Sequence, residues 1–385
     1  MSAAITPLRV ALASSGLGRV LRGVEVWMTE LTRHLPADLV EAHLWSGGPA
    51  PEGVKGAVSL GCISRDAVWL RWLSWHRRYQ IEQQSFLPKV IRRLRVEQTQ
   101  IVYCGDPVLA WHLKRFQSRH GARVVFMNGM RLSPGWAQAF DGVHLLTPEY
   151  REQAARELGE AVAERFFVAP HFVDPSVFHS PLEPERRAAR KRFGLSEDAF
   201  VVLQVGPVGT VSEKRLDWVA SEMAALDKRA VLFSVGADES GAAEVRTQVR
   251  AALGERATYA GAVARADMPL VYQAADVFAL GALAEPFSIS ILEALASGLP
   301  VVHHINPTTC WITGKGGVAV SLTERGALGA ALQELSQNQA RRSELSALAR
   351  QEVETRFTPQ LVCRDIVTGW QQTLARPFVQ PGGRA

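Results

Sequence analysis

Cysteine is scarce. The 385 residues hold four, Cys62, Cys104, Cys310 and Cys363, far apart and without metal-ligand spacing. That excludes a small disulfide-stapled scaffold and makes a reducing compartment the simplest home. Long apolar runs are also missing: none approaches the roughly 20 residues that span a bilayer. The N-terminus lacks a basic stretch followed by an apolar segment and a cleavage-like end. The chain is expected to be neither a secreted precursor nor an integral membrane protein, and a cytoplasmic location follows. No Asp-x-Asp, no His-Glu-x-x-His and no repeat at solenoid spacing occurs, so metal-independent chemistry is expected and a solenoid is excluded.

Strong charge of either sign is absent too. A net +5 is modest for this length and gives no argument for nucleic acid. Its distribution is less even. Between Arg65 and Val96, Arg65, Arg71, Arg77, Arg78, Lys89, Arg92, Arg93 and Arg95 stand against only Asp66 and Glu82, with Trp69, Trp72, Trp75, His76 and Tyr79 among them. Such a stretch, 65–96, suits a lipid headgroup surface or a lipid-linked acceptor, which would place the protein at the inner face of the membrane. The same rings suit an ordinary inward-facing core stripe.

What is present is globular. With 47% hydrophobic and 21% charged residues the chain is long enough for about two domains. The run Leu8–Ala13 passes into Ser14-Ser15-Gly16-Leu17-Gly18 and then a helical pattern from about Val24 to Leu35, the strand, turn and helix of an α/β unit. Further strands are expected at Gln100–Cys104, Arg123–Met127, Gly142–Leu146 and Phe166–Ala169, with helical stretches between them. After a break at Pro170–Pro184 the rhythm restarts at Phe200–Val205 and continues through Ala230–Val235, Thr258–Ala260, Val277–Leu280 and Pro300–His303. Two helical patterns close the chain. The expected class is α/β with two Rossmann-like domains facing each other across a cleft. Residues 1–178 form the first, 179–355 the second, and 356–385 a closing helix plus a tail. Ligands of open parallel sheets bind beyond the carboxyl ends of the strands.

The sharpest local signal runs from Glu285 through Pro286-Phe287-Ser288-Ile289 to Glu293 and on to Gly298-Leu299-Pro300. A helix starting near Phe287 leaves the amides of Phe287, Ser288 and Ile289 available to a phosphate. Glu285 at the loop edge can accept from sugar hydroxyls, and Glu293, two turns on, from a ribose diol. Read blandly, Glu285 is a helix-start acid favoured by the macrodipole and Glu293 a solvated helix acid.

These two acids resemble the E-x7-E motif of the GT4 family of retaining, nucleotide-sugar-dependent glycosyltransferases of GT-B fold. Three further stretches carry the same resemblance. Arg22-Gly23-Val24-Glu25 is similar to the family's Gly-Gly-Val-Glu loop beside the donor phosphates. Ala169-Pro170-His171-Phe172-Val173-Asp174 through Phe178 is similar to its Pro-Asn-Gly-Val-Asp signature. Val205-Gly206 with Ser212-Glu213-Lys214-Arg215 is similar to its Val-Gly-Arg and Glu-Lys-Gly stretch. The resemblance implies a transferase that moves a sugar, with retention, from a UDP-, GDP- or other nucleotide-diphosphate-sugar to a hydroxyl on a glycan, glycolipid or small metabolite. It implies no separate cofactor, and it implies that the closing helix of 356–385 crosses back to the first domain. Lys214 takes the place of the family lysine that neutralises the departing diphosphate, with Arg215 beside it, whereas Pro207 stands where an arginine commonly follows. Asn128 stands where many members carry a histidine; it can hold an acceptor sugar hydroxyl but cannot act as a base, so a histidine-dependent mechanism is not expected.

Other residues have two readings each. Asp106 in Gly105-Asp106-Pro107 either orients the acceptor or caps the next helix. His144 is an acceptor contact or a buried structural histidine. His303, ending a strand, is a sugar contact or part of the core, and its neighbour His304 points to the opposite face. Gly314-Lys315-Gly316-Gly317 lacks the rest of a phosphate loop, and Gly16 and Gly18 lack a third partner for a dinucleotide fingerprint, although both can approach the cleft. Two other classes fit the same scaffold: a nucleotide-sugar epimerase or hydrolase, and a noncatalytic nucleotide-sugar-binding protein. The oligomeric state is open.

Overall fold

Thirteen strands among the described residues sort into two all-parallel sheets. The computed structural model describes residues 6–20, 23–129 and 132–379. The chain divides into two units, the first comprising residues up to His171 together with those from Pro359 onward, the second Phe172–Thr358.

The first unit carries β1 (Leu8–Ser14), β2 (Val40–Ser46), β3 (Ala57–Ser59), β4 (Ile101–Cys104), β5 (Arg123–Met127), β6 (Gly142–Leu145) and β7 (Phe166–Val168). Their spatial order is β3-β2-β1-β4-β5-β6-β7. β4 and β5 read as unbroken apolar or fully buried runs, as strands covered on both faces by helices must. The helix Pro359–Ala375 packs in this unit: Gly369 lies against the Phe167 ring, Gly142 against Thr373, and Trp370 meets Tyr103 edge-on at 5.5 Å.

The second unit carries β8 (Phe200–Val205), β9 (Ala230–Val235), β10 (Ala257–Gly261), β11 (Val277–Leu280), β12 (Val301–His304) and β13 (Gly317–Val320), ordered β10-β9-β8-β11-β12-β13. Its centre, β11, is buried at every residue. The helix Ile289–Ala296 buries Ile291 through Ala296 in this unit's core and ends where Gly298 adopts a left-handed φ of 72°.

Each sheet has one place where the strand order reverses. In the first unit it lies between β1 and β4, in the second between β8 and β11. Loops leaving the carboxyl ends of such a pair diverge to opposite sides and leave a crevice between them.

Candidate functional site

Beyond the carboxyl ends of β8 and β9 in the second unit, both strands are followed by glycine for a steric reason. A Cβ on Gly236 would collide with the Gly206 carbonyl, and one on Gly206 would sit 2.7 Å from Cγ of Lys214. The loop beyond Gly206 is tied by Ser212 Oγ donating to the Pro207 carbonyl at 2.8 Å. The Gln204 amide donates to the Lys214 carbonyl. This delivers Lys214 across the crevice to the loop after β11, where its ammonium donates to the carboxylate of buried Glu285. Arg215 holds a left-handed φ of 49°, costly for a residue with a Cβ. Its guanidinium lies 4.6 Å from the Trp218 ring centroid.

Glu293 is 3% exposed and so is not a solvated helix acid. One carboxylate oxygen pairs with Arg265 and the other accepts from the Tyr272 hydroxyl at 2.7 Å. Burial and the Glu293 charge together push the Tyr272 phenol well above its ordinary pKa, which keeps it a donor. The helix begins at Ile289, not near Phe287. Ser288, at the cap position, turns its hydroxyl to Ser290 at 2.9 Å instead of capping. The phosphate-facing amides expected at residues 287–289 are therefore moved on to Ile289, Ser290 and Ile291.

At the first unit's reversal the crevice closes on a cluster of buried acids. Asp106 Oδ2 accepts from the Ser15 amide at 2.6 Å and from its hydroxyl at 2.8 Å, joining the ends of β1 and β4. It stands at the cap position of the helix Pro107–Arg115, yet its side chain makes no cap bond. Burial raises the Asp106 pKa against the lowering effect of the two Ser15 bonds. Beside it, buried Glu82 is ion-paired to buried Arg65 and accepts from Ser15 Oγ at 3.3 Å. A side chain on Gly16 would meet the carboxylate of Glu25. Gly18 needs its positive φ of 83° and has no room beside the Pro49 carbonyl.

Both carboxyl-end crevices thus hold paired charges drawn from distant parts of the sequence. Residues 199–338, most of the second unit, match the family of glycosyl transferases group 1. D-inositol 3-phosphate glycosyltransferase of Mycolicibacterium smegmatis is 33% identical over 162 residues, 41% of this chain and 36% of that protein. Mannosylfructose-phosphate synthase of Agrobacterium fabrum is 30% identical over 148 residues, 36% of this chain and 32% of that protein. The aligned stretch therefore spans about a third of each relative's length. Among solved structures, sucrose-phosphate synthase from Thermosynechococcus elongatus superposes with a TM-score of 0.76 at 18% identity, covering 96% of this chain and 100% of that one. Anabaena HepE in complex with UDP-glucose superposes at 0.73 and 17% identity, covering 94% and 99%. The chain has the GT-B fold, and its second unit matches the group 1 glycosyl transferases.

The group 1 match lies over Lys214, Arg215, Glu285 and Glu293, the residues that the motif resemblance marked as a donor site, and of these the fold joins Lys214 to Glu285. Several other expected contacts are used up inside the GT-B scaffold. His144 is fully buried, its ring nitrogens 2.6 Å from the Tyr103 hydroxyl and 2.6 Å from the Ala169 carbonyl. That makes it a structural histidine, not an acceptor contact. His303 is likewise engaged, by Thr313 at 2.9 Å and the His304 carbonyl at 2.8 Å, and is 1% exposed. Asn128 donates to and accepts from the backbone of Leu132, 2.8 Å each way, and so staples its own loop. Gly23 opens the helix Gly23–His34 with nothing within 4 Å of where a Cβ would stand; its neighbour Arg22 lies outside the described residues. Among the described residues no three or more His, Cys, Asp or Glu side chains gather as a metal site. Ser15, Arg65, Glu82, Arg265 and Tyr272 were not singled out as site residues by sequence. Their partners lie 17 to 91 positions away, and only the topology joins them.

Proposed function

We propose that this protein is a retaining glycosyltransferase that takes a sugar from a nucleotide-diphosphate-sugar bound to the second unit and passes it to a hydroxyl acceptor held by the first. The observation that carries the reading is the Lys214–Glu285 pair, with buried Glu293 eight residues further on, in the unit that matches the group 1 glycosyl transferases.

Without donor, Glu285 neutralises Lys214. An entering diphosphate takes the ammonium for itself and frees Glu285 to accept from hydroxyls of the sugar. The ribose diol donates to Glu293, and the uncapped amides of the helix at Ile289 add positive potential near the phosphates. In transfer, the bond from the anomeric carbon to the phosphate oxygen breaks and charge collects on the diphosphate. Lys214, already fixed in place, offsets that charge without reorganising. The acceptor oxygen bonds to the anomeric carbon on the face the diphosphate leaves, and its proton goes to the departing phosphate oxygen. That path needs positioning and charge stabilisation but no protein nucleophile, which accords with Asn128 occupying the place of the family histidine. In the first unit, Asp106, Glu82 and Arg65 supply the polar surface for an acceptor hydroxyl.

The test is calorimetry of UDP, GDP, ADP, TDP and CMP, then of their sugar conjugates, on the wild type, Glu293→Ala and the shape-preserving Glu293→Gln. One nucleotide should bind selectively, and both variants should weaken it by about 10- to 100-fold, the worth of hydrogen bonds to a charged group. With the donor so identified, Lys214→Ala should lower turnover by about 100- to 1,000-fold while donor affinity changes far less. Undiminished binding in both Glu293 variants removes the ribose assignment. A bound donor that is neither transferred nor hydrolysed would make the protein a nucleotide-sugar binder instead.

A further inference from the structure

Ahead of the long helix Trp75–Val96, whose first turn is capped by Ser74, the residues Val68–Leu70 form a single short turn. Leu70 points inward and is 1% exposed, which leaves its neighbours outside: Val68 is 72% exposed, Trp69 61%, Trp72 81% and Trp75 49%. Single exposed apolar side chains are common on soluble proteins, but four large ones within eight residues form a patch of the kind that marks an interaction surface.

The patch is rigidly backed. Trp75 stacks on Tyr79 with centroids 5.2 Å apart, the Arg65 guanidinium lies 4.5 Å from the Tyr79 ring centroid, and Arg65 is ion-paired to buried Glu82. The indoles are therefore presented by a braced tip, with exposure that the fold enforces.

Charge selects the partner. Arg71 and Arg77 are exposed and Arg78 half-buried, and neither Arg71 nor Arg77 has an ion-pair partner among the described residues. From Gly61 to Ile81 the only acid is Asp66. Indoles flanked by unpaired guanidinium groups match the boundary of an anionic bilayer, where the ring is at home between apolar chains and water and arginine meets lipid phosphate. No helix among the described residues is long and apolar enough to cross a membrane, so any contact is from one side.

We propose that the Val68–Arg78 tip docks the first unit on an anionic lipid surface, with Trp69, Trp72 and Trp75 entering the headgroup layer and Arg71, Arg77 and Arg78 meeting phosphates. The surface is separate from the donor residues, so the proposal stands or falls independently of sugar transfer.

Co-sedimentation of the full chain with vesicles of phosphatidylcholine and phosphatidylglycerol in equal parts, and with pure phosphatidylcholine vesicles, tests it. Binding is expected to the anionic vesicles only, to weaken with added salt, and to bring a blue shift in indole emission. Trp69→Ser with Trp72→Ser should abolish the shift and lower binding at least tenfold. Arg71→Glu with Arg77→Glu should lower it more than tenfold, at about fivefold for each cation lost. Both double variants should keep the wild-type melting temperature and nucleotide binding, because the altered side chains are exposed. Three results would overturn the proposal: no vesicle binding, equal binding to both vesicle types, or variants that bind as the wild type does. Tighter capture of a single-stranded oligonucleotide, or a dimer that the tryptophan variant dissolves, would assign the patch to another partner and overturn it as well.

Discussion

Glu293 shows how far single residues can be understood from sequence. Its distance from Glu285 along the chain was enough to mark both as site candidates. What gives it a fixed carboxylate was not legible, because Tyr272 and Arg265 lie 21 and 28 positions away and arrive only through the sheet. The same holds for Asp106, whose partner Ser15 is 91 positions distant. The two partners of Glu293 differ in kind. The Arg265 side chain is 47% exposed, so its pairing is screened and weak, and it can move aside for a ribose. Tyr272 is fully buried and donates from a phenol that stays protonated. Tyr272→Phe should therefore destabilise the second unit by about 1–3 kcal/mol, the cost of leaving a buried acceptor short of a donor, and should also weaken nucleotide binding. Arg265→Ala should leave stability nearly unchanged. Urea unfolding followed in the two variants decides it: equal stabilities would mean that Tyr272 does not hold Glu293.

Strands and helices were legible where burial is two-sided or the helical face is long. The central strands of both sheets lie where unbroken apolar runs put them. Val40–Ser46, Ala57–Ser59 and Gly317–Val320 were not anticipated. Glu41 and His43 interrupt the first, the second is three residues at a sheet edge, and the third opens on glycine. Their pairing comes from neighbours, not from their own pattern. The helix Pro359–Ala375 was legible as a helix, but its seat in the first unit depends on a detail no periodicity reveals. Gly369 faces Phe167 so closely that an added Cβ would overlap the ring. In an exposed helix interior, alanine for glycine would stabilise by about 1 kcal/mol. Here overpacking, typically about 1–3 kcal/mol, opposes that gain, so Gly369→Ala should lower the melting temperature and expose the terminal helix to limited proteolysis. A variant as stable as, or more stable than, the wild type would show that the contact relaxes freely.

Across the whole molecule the two units repeat one plan, a parallel sheet with one reversal and charged loops at its carboxyl end, yet they differ in how they should respond to acid. The first unit encloses His144 and His171, both buried, and burial lowers their pKa values to about 4 and about 3. His120 is lowered in the same way. A histidine kept neutral in the fold but free to protonate when unfolded stabilises fully above its unfolded pKa near 6.5, and that contribution is lost as pH falls toward the folded value. For His144 and His171 together the loss is about 2.7 kcal/mol per pH unit below 6.5. Asp106 acts with the opposite sign, because its raised pKa favours the protonated fold, but its window opens upward from the ordinary carboxylate range. It therefore offsets the histidines only toward the acidic end. Melting curves at pH 7.5, 6.5 and 5.5 should be nearly superimposable between the first two and then shift down by roughly 5–10 °C per pH unit for the first unit, given about 2–4 °C per kcal/mol at this size. His144→Gln, which keeps polar atoms near Tyr103 and the Ala169 carbonyl but cannot take the proton, should reduce that slope by about half. A melting temperature that stays level from pH 7.5 to 5.5 would mean that these rings are hydrated or already charged in the folded protein, and the account of His144 and His171 as histidines held neutral by burial would fail with it.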